Sequence, residues 1–211
     1  MKNLLLDATL LALFVAELSF NYLPKILHEI LGVAMAVLIV VHVGTNWRRF
    51  ISPFKNMNPK KFFFLKVNLA LMLVTLIILA SGVCMSNYLF PDAASAELRR
   101  NITIINLHTS TPYIMMILIG MHLGIHWDEL WQRFFKRFEA KKIFMAAAII
   151  LSAIGVAGLF LNRFLDRILM KHIFATPATD LPVWIFILLM LGGVTAFAVP
   201  TYLIVKKFFK R

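Results

Sequence analysis

The 211-residue chain contains a single cysteine, Cys84. One thiol excludes an intrachain disulfide and a thiolate-ligated metal centre, and without a C-x-x-C-H motif there is no covalent c-type haem attachment. Charge is scarce too. Charged residues make up 15% of the chain and only ten are acidic, where a soluble domain carries about a quarter. Paired Gly/Pro interruptions at mid-membrane, the mark of transporter helices, are also missing: only Pro112 and Pro200 interrupt an apolar run.

What the chain has instead is apolar surface. It is 61% hydrophobic, with a mean hydropathy of +0.83. Six segments approach the roughly 20 residues needed to cross a bilayer: about 3–22, 24–46, 66–88, 107–127, 143–162 and 182–205. The expectation is an all-α integral membrane protein, a six-helix bundle. The first segment is not expected to be a cleaved signal peptide, because Asp7 and Glu17 lie in its apolar run and no small-residue cleavage site follows.

The net charge of +12 is distributed by side. With six crossings, 16 of the 22 basic residues fall on the side of the two termini. The positive-inside rule then makes both termini cytoplasmic in a plasma (inner) membrane, and assigns the charge to lipid headgroups rather than nucleic acid.

Four histidines stand in matched register. His28 and His42 lie on the second segment, His108 and His122 on the fourth; each pair is 14 residues apart and the two pairs are offset by 80. Fourteen residues rotate a helix to within about 40° of four full turns and rise about 21 Å. Each pair therefore shares a helix face, with one histidine near each surface. The two segments run parallel, so His28 meets His108 at the outer depth and His42 meets His122 at the inner. Two imidazoles are too few for a tetrahedral zinc site but match the two axial positions of a haem iron.

Supporting residues follow by type and depth. Gly32, Gly44, Gly120 and Gly124 are expected to let a porphyrin approach the backbone, and Pro112 lies four residues after His108. Arg48 and Arg49 inside, and Arg99, Arg100 and Lys25 outside, are candidate propionate partners. His126 also lies on the ligand face, as an alternative ligand or a contact behind His122; its repeat partner is Asn46. Glu29 and Glu17 are candidate proton acceptors for an outer-face quinol. Asp92 is a candidate N-cap for a short helix in the 90–106 loop, residues 161–174 are expected to form an interfacial helix, and His172 is read as a headgroup residue. Tryptophans 47, 127, 131 and 184 fit an aromatic belt.

The strings "LHEILGVAMAVLIVVHVGTNW" (27–47) and "LHTSTPYIMMILIGMHLGIHW" (107–127) resemble the small flavinylation-associated, cytochrome b561-like membrane cytochromes over roughly residues 1–135. The resemblance implies two non-covalent b haems on a four-helix core. It also implies electron transfer between a quinone/quinol pool and an outer-face partner, often a flavoprotein. Residues 136–211 would add two helices of unassigned role. A superoxide oxidase or metal reductase on the same core, a haem subunit anchoring a hydrogenase or dehydrogenase, and a haem-free proton or metal transporter are the alternatives.

Overall fold

Residues 2–55, 57–135, 141–171 and 181–209 are described by the computed structural model, and among them every regular element is helical. In chain order these are α1 (Lys2–Leu18), α2 (Lys25–Thr45), α3 (Trp47–Lys55), α4 (Pro59–Met85), α5 (Ala96–Arg99), α6 (Ile102–Ile125), α7 (Trp127–Phe135), α8 (Lys141–Leu161), α9 (Phe164–Ile168) and α10 (Val183–Phe208). His172, Lys136, Arg137, Lys210 and Arg211 lie outside the described residues.

Five helices are long and apolar enough to cross a membrane: α2, α4, α6, α8 and α10. This is a multi-pass, all-helical membrane protein. The expected sixth crossing is shorter than its apolar run. Helix α1 has 17 residues and gives way at Ser19 to a 3₁₀ turn, Phe20–Tyr22. Seventeen residues rise about 25 Å, short of a hydrocarbon core of about 30 Å.

Local chemistry sets the helix ends. Asn58 caps α4 by accepting from the Lys61 amide at 2.8 Å, with Pro59 at the first helical position. Asn101 caps α6 through the Thr103 amide at 2.9 Å. The short helix of the 90–106 loop begins later than expected: Ser95, not Asp92, caps α5 by accepting from Leu98 N. Residues 91–94 form a turn instead. The expected interfacial helix condenses to α9, five residues entered through Arg163 in the left-handed region at φ 49°. Its Arg167 turns inward, 5.1 Å above the Tyr113 ring, instead of out to headgroups.

Burial is inverted relative to a soluble bundle. Val40, Leu73, Ile150 and Trp184 are all more than half exposed, as lipid-facing side chains are. The tight interior lies where α1, α6 and α10 converge around Phe14, Leu18, Met116, Met190 and Val194. Small residues bring the helices together. Gly155 of α8 meets Gly192 of α10 backbone to backbone, and a Cβ added at Gly120 of α6 would lie 2.6 Å from the Val194 carbonyl of α10. Helix α10 thus lies against both α8 and α6 and touches α1.

A side chain at Gly155 has nowhere to go. Gly155→Leu is expected to cost at least about 1–3 kcal/mol by overpacking and to lower the melting temperature of the detergent-solubilised protein. Ile150→Leu, on the exposed face of the same helix, should leave it unchanged.

Candidate functional site

Helix α2 has almost no close backbone approach to α6, yet the two face each other through their histidines. The His28 and His108 rings lie 6.1 Å apart centroid to centroid, inclined by 78°. The His42 and His122 rings lie 6.3 Å apart, inclined by 68°. The expected partners are therefore brought together at two depths, and α2 and α6 run parallel. The end of the bundle holding His42 and His122 is called the near end, and that holding His28 and His108 the far end.

Every one of the four rings has an oxygen at Nδ1. At the far end Glu17 Oε2 stands 2.7 Å from His28 Nδ1, and His108 Nδ1 lies 3.2 Å from Ser81 Oγ and 3.3 Å from the Ile78 carbonyl. At the near end Asp7 Oδ1 is 2.9 Å from His42 Nδ1, and Asn68 Oδ1 is 2.9 Å from His122 Nδ1. The carboxylate contacts are close ion-pair approaches whose angles fall short of a straight hydrogen bond. At such distances two lone pairs would repel, so the nitrogen facing the oxygen carries the proton. Ser81 gives its own proton to the Ile77 carbonyl at 2.7 Å and so faces His108 as an acceptor. An Nδ1–H tautomer would suit all four contacts and leave Nε2 as the basic nitrogen.

The partners come from two helices. Helix α1, antiparallel to α2, supplies carboxylates; α4, antiparallel to α6, supplies neutral oxygens. Asp7, Asn68 and Ser81 carried no signal as partners, since polar residues in an apolar run do not announce their depth or facing. Gly82, also unremarked, leaves room for the His108 ring: an added Cβ would lie 3.1 Å from its Cε1.

The expected glycine role divides. Gly120 and Gly124 pack on α10, and Gly44 has nothing within 4 Å. Two residues turn a helix by about 200°, so glycines flanking His122 at that offset face away from it. Gly32 alone, on the His28 face, borders the site, 3.8 Å from Glu17 Oε2. Pro112 lines a partly enclosed cavity of about 50 Å³ with His28, His108, Glu17, Phe14, Met35 and Met115.

His126 is the C-cap of α6, 4.9 Å from the His122 ring and beside Phe64. It is His122 that faces His42. Arg49 pairs with Glu129 at 3.1 Å, joining α3 to α7, while Arg48 and Arg100 are exposed. Arg99 donates to the Pro91 carbonyl at 2.7 Å and holds the loop before α5. Glu29 pairs with neither Lys25 nor Arg99. Its carboxylate accepts from Ser86 Oγ at 2.7 Å and from the amides of Asn87, Tyr88 and Leu89. That set of donors makes it an anchor for residues 86–89, whereas Glu17 faces the far histidine pair.

Among the described residues no three His, Cys, Asp or Glu side chains gather to hold a metal ion by themselves. Set against family models, curated proteins and solved structures, the chain matches none.

Glu29→Gln replaces one of the two carboxylate oxygens by a donor and removes the charge. Charge-assisted bonds of this kind are worth about 1.5–3 kcal/mol when shielded and less when exposed. Amide hydrogen exchange at Asn87, Tyr88 and Leu89 is expected to speed up about tenfold; unchanged rates would mean that the loop is held by other contacts.

Proposed function

We propose that the chain is a b-type membrane cytochrome with two non-covalent haems, carrying electrons across the bilayer between a quinone/quinol pool and an outer-face acceptor, a flavin-bearing protein being the candidate partner. The observation that carries this reading is the doubled pairing of imidazoles across α2 and α6, each with an oxygen at its Nδ1. Two metal–imidazole bonds of about 2 Å each, with about 1 Å from each nitrogen to its ring centre, span about 6 Å. The observed separations of 6.1 and 6.3 Å suit one metal between each pair.

Two further observations support the fit. Apart from Glu17 and the two histidines, the small cavity at the far pair has an apolar lining, the chemistry that suits a porphyrin face; at about 50 Å³ it would have to widen to admit one. Glu17 Oε1 is buried with no hydrogen-bond partner among the described residues, and a buried carboxylate oxygen calls for a compensating charge or donor. His28 with His108, and His42 with His122, would hold the two irons; His126, Arg48, Arg49, Arg99 and Arg100 would lie behind or beyond them. Bound haem supplies reversible one-electron exchange, while the chain supplies ligation, depth and electrostatics. The basic near end faces the cytoplasm in this reading.

A dithionite-reduced minus air-oxidised spectrum of the purified protein, with haem quantified per chain, tests it. Two low-spin b haems per chain are expected. His28→Ala and His42→Ala should each leave one, and His126→Ala should leave two. No haem after expression with ample haem supply would overturn the reading in favour of a transporter using the histidines for protons or metal.

A further inference from the structure

Both histidine pairs are built unevenly. On the α2 side each imidazole faces a carboxylate, Glu17 at 2.7 Å and Asp7 at 2.9 Å. On the α6 side each faces a neutral oxygen, from Ser81 and Ile78 or from Asn68. The carboxylates come from α1, whose apolar run has no structural need of acids. Their side chains are only 13% and 22% exposed. A helix that keeps two such groups at this cost does so for a partner, and both are aimed at α2 histidines.

We propose that Asp7 and Glu17 are positioning residues that lock His42 and His28 as Nδ1–H tautomers and make the α2 half of each site anionic. The consequence for bound metal rests on the cytochrome reading; the tautomer does not. A carboxylate behind an imidazole raises the basicity of its far nitrogen and favours the more positive, oxidised state of a metal held there. Each carboxylate touches one pair, so each acts on one site: Asp7 on the near, Glu17 on the far.

Near-isosteric exchanges remove the charge and leave one amide oxygen able to face the ring, as Asn68 faces His122. Asp7→Asn is expected to raise the midpoint potential of the near site only, and Glu17→Gln that of the far site only. About a tenfold change in the oxidised-to-reduced ratio is expected, equivalent to about 59 mV for a one-electron couple. Asn68→Asp, which gives His122 a carboxylate as well, should shift the near site the opposite way. Removing the oxygen altogether, in Asp7→Leu, should weaken haem retention at the near site about 10–100-fold. Potentials that fail to move in the two neutral variants, with two haems still bound, would overturn the proposal and leave the cytochrome reading standing.

The haem-free chain gives the second readout. Nitrogen-15 chemical shifts at alkaline pH, where the rings are neutral, should show His28 and His42 as Nδ1–H, with that preference lost at His42 in Asp7→Leu. Nε2–H rings in the parent chain would overturn the proposal whether or not the protein binds haem.

Discussion

The bilayer core offers no water, so a polar side chain placed there must bring its own partner. Four imidazoles on α2 and α6 impose that requirement four times, and much of the bundle is arranged to meet it. Asp7 and Glu17 tie α1 to α2; Asn68 and Ser81 tie α4 to α6. None of these contacts adds much to helix association, since polar contacts between membrane helices average under about 1 kcal/mol. Their effect is directional. Each fixes a ring plane and a proton position, which dispersion packing alone cannot do.

The remaining helices pack behind α6, while α2 stands off from it. Helix α6 carries histidines on one face and a Gly120-x-x-x-Gly124 pair on the opposite one, where α10 closes against its backbone. Helix α10 in turn meets α8 through Gly192 and Gly155. The last two long helices are therefore a brace behind one half of the histidine array. Helix α2 has no such support: it leans on α1 and presents Val37, Val40 and Val41 outward. A closely packed half and a less buttressed half face each other across the rings.

Much of this was legible in the residues. The long apolar runs gave five helices of crossing length, and the 14-residue spacing with its 80-residue repeat predicted which rings meet. The repeat extends further than the histidines: α3 and α7 both start at a tryptophan, both run nine residues, and Arg49 pairs with the residue 80 positions on, Glu129. The partners behind the rings were not legible for a geometric reason. Asp7 and Glu17 are ten residues apart where the histidines they serve are 14 apart, so no shared period links them. Side-chain reach closes the gap. The flanking glycines misled because proximity in sequence at an offset of two means opposite faces on a helix. The length of α1 was hidden because the chain tightens into a 3₁₀ turn after Ser19, still inside an apolar run.

The repeat is most informative where it breaks. Helices α2 and α6 are matched in register, but the helices behind them are not, one bringing acids and the other an amide and a hydroxyl. A duplicated scaffold that needed only satisfied imidazoles would work with neutral oxygens on both sides, as α4 shows. Glu17 keeps one buried oxygen, Oε1, without a hydrogen-bond partner among the described residues, and carboxylates in an apolar interior are destabilising unless positive charge stands nearby. Among the described residues no lysine or arginine pairs with Asp7 or Glu17. The nearest groups able to hold a cation are the histidine pairs themselves. A positive charge between the rings, which the proposed haem irons would supply, would offset the carboxylates of α1 at both depths.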